Sequence, residues 1–212
     1  MITENGTMKT SAKFSDDREY RFLLRKEWDD TKPKAVVIMT NPSMADMIAL
    51  DFTTLYIINN LSLLGFGGVD IVNIIPKITT KINVKEDSEI TDEAYEENMK
   101  QIKESAEKSD KTIIAWGQIG ESNKKIQVIQ DDVLDNLAPF WDKMCYVSDR
   151  NGKKGFHPLA PQIRFEWKLV KFHTEQEQTP IEEVKPTKTN KSKKSQKAET
   201  PTPEEVTEKE NE

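Results

Sequence analysis

The chain has 212 residues, a formal net charge of −6, 32% charged residues and 35% hydrophobic ones. Packed globular chains carry about 45% apolar residues, so part of this chain is expected to lie outside any core. No apolar run approaches the roughly 18 residues that span a bilayer, and the lone Cys145 excludes an internal disulfide and a cysteine metal cluster.

The opening MITENGTMKTSAKFSDD has no apolar stretch of the signal-peptide kind, and residues 1–17 read as a flexible N-terminus. Glu19–Trp28 (EYRFLLRKEW) reads as a strand or hairpin arm, and Asp29–Lys34 as a turn with Pro33 inside it. Ala35–Thr40 (AVVIMT) is a short continuous apolar run, the pattern of a strand buried on both faces. The polar loop Asn41–Asp46 follows. Thr53–Leu64 then reads as a helix with Ile57, Leu61 and Leu64 on one stripe, stopped by Gly65, Gly67 and Gly68. Val69–Ile75 is a second strand, ended by Pro76, and Lys77–Glu89 a long polar loop. Thr91 is placed to cap a helix whose first turn carries Asp92 and Glu93, with Tyr95, Met99, Ile102 and Ala106 as its apolar stripe. Lys111–Trp116 is a third strand; a helix with Ile126, Ile129, Val133 and Leu137 in register follows, then a fourth strand at Met144–Val147 and the loop Ser148–Arg164.

Residues 174–212 contain no aromatic residue, four aliphatics, four prolines and seventeen charges, too little apolar surface to offset the entropy of ordering them. This segment reads as a disordered charged tail, with residues 18–173 as a single α/β domain. Lys185, Lys188, Lys191, Lys193, Lys194 and Lys197 form its basic run, a candidate partner contact or simply a solvated linker. The tail holds seven lysines against ten glutamates, a net −3, which leaves about −3 for the rest and argues against a strong grip on duplex DNA. The chain reads as a soluble, cytoplasmic protein with no membrane partner. With only His157 and His173 as histidines, neither a metal nor a cofactor is expected.

Strand and helix alternate along the chain, which predicts a short, mainly four-stranded parallel sheet covered on both faces, a three-layer sandwich. Ligands of such sheets sit at the carboxyl ends of the strands. The loops there carry Asn41-Pro42-Ser43, Asp46, Asp51, Thr53, Asn73, Trp116-Gly117 and His157-Pro158. Singly each has a plain structural use: a turn, a helix cap, a core aromatic, a packed loop histidine. Asn73 within an apolar strand stands out, because a buried amide without partners costs roughly 1–3 kcal/mol. Convergence on one sheet edge marks the set as a candidate site.

The ordered motifs resemble the bacterial and phage family known as domain of unknown function 1643. The set comprises Tyr20, Arg21, Arg25 and Trp28; Asn41-Pro42-Ser43 with Ala45-Asp46; Asp51 and Thr53; Val72-Asn73; Ala115-Trp116-Gly117; and His157-Pro158-Leu159. The resemblance covers about residues 18–165. Where that family has Asp-Pro-Thr, this chain has Asp51-Phe52-Thr53 and so lacks the rigid turn. The motif order is more distantly similar to the uracil-DNA glycosylase superfamily, which implies a glycosylase-like sandwich. That similarity implies that Asn41-Pro42 positions a water, Asn73 reads a base edge and His157-Pro158 stabilises a departing base. Ser43 replaces the glycine usual after Asn-Pro in the mismatch-specific branch, and the His-Pro loop lacks its following serine.

These resemblances lead to an expected nucleobase-containing small ligand, or less directly nucleic acid, with cleavage of an N-glycosidic bond as the candidate reaction. Asn41, Asp46 and His157 are the candidate catalytic residues: Asn41 or Asp46 to hold the attacking water, and neutral His157 to donate to the leaving base. Pro42, Ser43, Asp51, Thr53, Asn73, Trp116 and Gly117 are the candidate ligand-binding residues. The alternatives are a non-catalytic nucleotide or modified-base binding module, and an interaction protein acting through its tail.

Overall fold

The computed structural model describes residues 1–43, 45–79 and 90–172. Its strands are β1 (Lys9–Phe14), β2 (Arg21–Glu27), β3 (Lys34–Met39), β4 (Gly68–Asn73), β5 (Lys111–Ile114), β6 (Met144–Ser148) and β7 (Lys168–Lys171). The helices are α1 (Phe52–Leu63), α2 (Asp92–Lys108) and α3 (Lys124–Asn136), with single 3₁₀ segments at Ile119–Ser122 and Ala138–Lys143. All seven strands form one sheet in the order β1-β2-β4-β3-β5-β6-β7. β3 runs parallel to β4 and β5, and β5 parallel to β6. β2 is antiparallel to β4, β1 to β2, and β7 to β6.

The expected four-stranded, mainly parallel sheet is thereby corrected to a seven-stranded mixed one. The flexible N-terminus expected over residues 1–17 is corrected in part, since Lys9–Phe14 pairs along β2. Both corrections have one cause. β1 alternates exposed and half-buried residues, and β7 is only four residues long. Neither carries enough apolar pattern to announce itself; each forms because a neighbouring strand offers unpaired backbone groups. The tail reading, the basic run Lys185–Lys197 and His173 lie outside the described residues, as does most of the loop Lys77–Glu89.

β3 explains the layering. Its residues alternate between two cores: Ala35, Val37 and Met39 on one face, Val36 and Ile38 on the other. The first face is covered by Ile57 and Leu61 of α1 and by Phe156, Ile163 and Trp167 of the segment before β7. The second is covered by Ile102 and Ala106 of α2 and by Ile126 and Val133 of α3. A strand with both faces buried needs the unbroken apolar run that β3 has. The helix starts follow from side-chain caps: Asp51 accepts from Thr54 N–H at 2.7 Å, Thr91 from Ala94 N–H at 3.3 Å, and Asn123 from Ile126 N–H at 3.2 Å. Among the described residues no helix is long and apolar enough to cross a membrane.

Candidate functional site

The parallel strands end together. Met39 pairs with Asn73 at the ends of β3 and β4, and Ile38 with Ile114 on β5. Beyond the ladders the chain stays tied: Ile74 N–H donates to Met39 O and Ile75 N–H to Thr40 O, both at 2.9 Å, and Thr40 Oγ1 donates to Trp116 O at 2.9 Å. The loops leaving this edge enclose a cleft of about 300 Å³. Its walls are Met39, Asn41, Ser43, Asp51, Thr53, Thr79, His157 and Leu159. Asn41, Ser43, Asp51, Thr53 and His157 are thus brought together as the sequence suggested. Met39, Thr79 and Leu159 complete the lining without having been candidate site residues, although Leu159 belongs to the His157-Pro158-Leu159 motif.

Asn41 holds two loops in place. Its Nδ2 donates to Thr79 O at 3.2 Å and Thr79 Oγ1 at 3.3 Å, while Pro42 O accepts from Thr79 N–H at 3.4 Å. The loop after β3 is clipped to the loop after β4 by these bonds, and Pro42 is buried beneath them.

Asp51 is the one carboxylate among the described residues of the lining. Burial pushes its carboxyl up, but hydrogen bonds from Ser43 and Thr54 and the charge of Arg21 outweigh this and hold it below the usual carboxylate range. Asp51 therefore carries a fixed negative charge at neutral pH, and its occupied oxygens make it a weak base. It also starts α1, so cleft and helix share one residue.

His157 faces the same cleft. Its Nδ1 accepts from Leu159 N–H at 3.2 Å. A backbone amide only donates, so this nitrogen carries no proton and the neutral ring holds its proton on Nε2. Burial pushes the imidazole below its ordinary 6.5, opposed by the charge of Asp51. The ring is a neutral Nε2–H donor near pH 7. Gly117 sets its position from behind. Gly117 has φ +73°, and a Cβ there would lie 3.3 Å from His157 Cβ. Both the left-handed backbone and the close approach call for glycine.

Three further candidates take other places. Asp46 is exposed and absent from the lining; its carboxylate closes a turn by accepting from Ile48 and Ala49 N–H, both at 2.7 Å. Trp116 packs into the core on the α2–α3 face, leaving only its backbone at the strand end. Asn73 is 0% exposed, behind the cleft rather than in its wall. In parallel register it shares a sheet face with Met39, which does line the cleft. Among the described residues neither Asn73 Oδ1 nor Nδ2 has a hydrogen-bond partner.

Two buried cations underlie the loop from Ser43 to Met47. Arg21 and Lys26 are each 1% exposed. Arg21 donates to Ala45 O and, at 3.3 Å, to Ser43 O; Lys26 Nζ donates to Met47 O at 2.6 Å and Asp46 O at 3.1 Å. Burial pulls Arg21 down to about 10, opposed by Asp51 and Asp46, so it stays charged. Burial likewise lowers Lys26. Sequence reasoning did not select this pair as site residues, since lysine and arginine are rarely fully buried. The available signals were the place of Arg21 in the family motif and of both residues close to the apolar Phe22-Leu23-Leu24 run of β2. Cys145 is buried, and burial raises its thiol to about 11, which removes it as a nucleophile. Among the described residues no group of three or more His, Cys, Asp or Glu side chains is placed to hold a metal ion.

Neither a search of curated proteins nor a search of solved structures found a match. A family profile does match, over residues 21–159, a span that runs from buried Arg21 to Leu159 in the cleft wall. The chain belongs to that family, described as "Protein of unknown function (DUF1643)".

Proposed function

We propose that the cleft binds a nucleobase-containing small molecule, with the polar edge of the base on His157 and the sugar beside Asp51. The observation that carries this reading is the pairing, in one cleft at the strand ends, of a neutral Nε2–H donor with a fixed carboxylate. At about 300 Å³ the cleft is at the small end for ligand sites, and its lining mixes Met39 and Leu159 with amide, hydroxyl and carboxylate groups. The candidate reaction is hydrolysis of an N-glycosidic bond. Negative charge developing on the departing base accepts from His157 Nε2–H, and positive charge on the sugar is stabilised by Asp51. Asp51 takes the carboxylate role because Asp46 lies outside the lining.

The same geometry favours a second reading, a non-catalytic binding module. The Asp51 carboxylate is occupied by Ser43 and Thr54, and the Asn41 amide by Thr79. Neither is free to activate a water.

Incubation with mixed nucleosides, nucleotides and damaged-base oligonucleotides, followed by mass spectrometry, separates the two. A released base that disappears in His157→Gln and Asp51→Asn establishes hydrolysis. An unaltered ligand retained by the natural chain and lost in both variants establishes the binding module. If nothing is released or held, the cleft reading fails.

A further inference from the structure

Helix α1 is apolar on two sides. Ile57 and Leu61 enter the core. On another side Phe52, Tyr56, Asn59 and Leu63 follow each other at helical spacing, and three of the four are apolar or aromatic. Phe52 is 71% exposed, and its ring stacks on Tyr56 with centroids 6.4 Å apart. Tyr56 meets Phe165 edge-on at 5.7 Å, and Phe165 is 77% exposed. Three linked rings therefore stand at the surface as a ridge. Scattered exposed apolar residues are ordinary, but a contiguous ridge of aromatics is not.

The ridge is continuous with the cleft. Thr53, in the cleft wall, follows Phe52 in the chain. Arg164, beside Phe165, donates from Nε to the carbonyl of Leu159, another wall residue, at 2.8 Å. On its far side the ridge borders a second depression of about 380 Å³, lined by Tyr56, Asn59, Asn60, Leu63, Arg164 and Phe165 among others. Arg164 forms no ion pair with any described residue. Among the described residues no carboxylate lines this depression.

We infer that the ridge is a stacking platform for the nucleotide next to the one held in the cleft, so that the ligand is single-stranded nucleic acid and not a free nucleoside. This rests on the nucleobase reading of the cleft and extends it. Exposed rings accept bases of any sequence by stacking, and a lone guanidinium beside them meets one phosphate. Polar groups at Asn59 and Ser62 suit a sugar-phosphate chain better than a dry protein interface. The platform reconciles nucleic-acid binding with a net charge of −6, because the rings carry the contact and a single cation supports it.

The test is fluorescence anisotropy of the full chain with labelled single-stranded DNA and RNA of mixed sequence. Equilibrium dialysis with mononucleosides runs beside it. The expected result is a single strand bound at least about tenfold more tightly than a mononucleoside. The two sugar types show which natural polymer is preferred. Phe52→Ala and Phe165→Ala weaken the single strand about tenfold and leave mononucleoside binding unchanged, while Phe165→Trp keeps the affinity. Arg164→Gln lowers the salt dependence by about 0.7 per decade of salt, the share of one phosphate on a single strand. That difference isolates the ridge from the lysines of residues 185–197.

If single strands bind no better than mononucleosides, the platform is overturned and the cleft reading stands. If Phe165→Leu serves as well as Phe165→Trp, or if the natural chain self-associates through these residues, the ridge is an apolar docking face and the proposal fails. If neither probe binds, both readings fail.

Discussion

At the scale of single residues, the candidate site depends on how a few groups are held. Gly117 is the clearest case. Gly117→Ala meets both a left-handed backbone and the back of His157, whereas Gly65→Ala meets only the backbone, with φ +87° and nothing within 4 Å. Each substitution is expected to cost roughly 1–2 kcal/mol from conformation, a fall in Tm of about 2–8 °C. Only Gly117→Ala should also displace the imidazole and weaken retained ligand, which calorimetry and the mass-spectrometric assay check together.

His157 adds a pH signature. Its folded-state pKa lies below the unfolded 6.5, so the unfolded chain binds more protons in the interval between the two. Stability is therefore full above about 6.5 and falls as pH drops through that interval. Urea unfolding between pH 7.5 and 5 should show the decline, and His157→Gln should flatten it. Asp51 is also depressed, but it acts below its ordinary 3.8 and leaves the higher interval to His157. A decline that persists unchanged in His157→Gln would assign it elsewhere.

At the scale of elements, β1 and the clamped loop matter most. β1 covers an edge of β2, and Lys13 of β1 reaches across to Glu97 of α2 in an ion pair. Removing residues 1–14 exposes the backbone groups of β2 as a free edge. The expected outcome is a Tm lower by more than about 5 °C and concentration-dependent self-association seen by light scattering. A monomer of unchanged Tm would show that β1 adds nothing. The loop from Ser43 to Met47 is held differently, by Lys26 donating to two carbonyls from beneath. Lys26→Met keeps the volume but leaves those carbonyls without their donor, at a cost of about 1–3 kcal/mol. The same variant should raise the susceptibility of this loop to proteolysis, while a sham substitution at exposed Lys100 should not.

At the scale of the whole molecule, the described core, the cleft and the ridge all fall within residues 1–178, a compact unit by itself. A chain ending at Gln178 is expected to keep its Tm within about 3 °C and its cleft binding unchanged, since among the described residues the cleft wall ends at Leu159. Binding lost in that chain and kept in the cleft variants would move function to residues 179–212.

Much of this protein was written in its sequence, for a local reason. The central strand, the three helices and the cap Thr91 follow from apolar period and cap chemistry, which act within a few residues of chain, whereas the cap Asn123 shows only in the structure. The placement of Asn41, Ser43, Asp51 and His157 at one edge follows from the parallel order of the strands, which sequence alternation already implied. What only the tertiary structure decided is long-range. Of two aspartates five residues apart, the sequence reading assigned the catalytic role to Asp46 and a binding role to Asp51, yet the path of one loop puts Asp51 in the cleft wall and leaves Asp46 closing an exposed turn. β1 and β7 exist because their neighbours have unpaired edges, not because of their own pattern. Arg21 and Lys26 are buried because loop carbonyls 22 to 24 and 20 to 21 positions further along turn to meet them, a pairing that no local rule encodes.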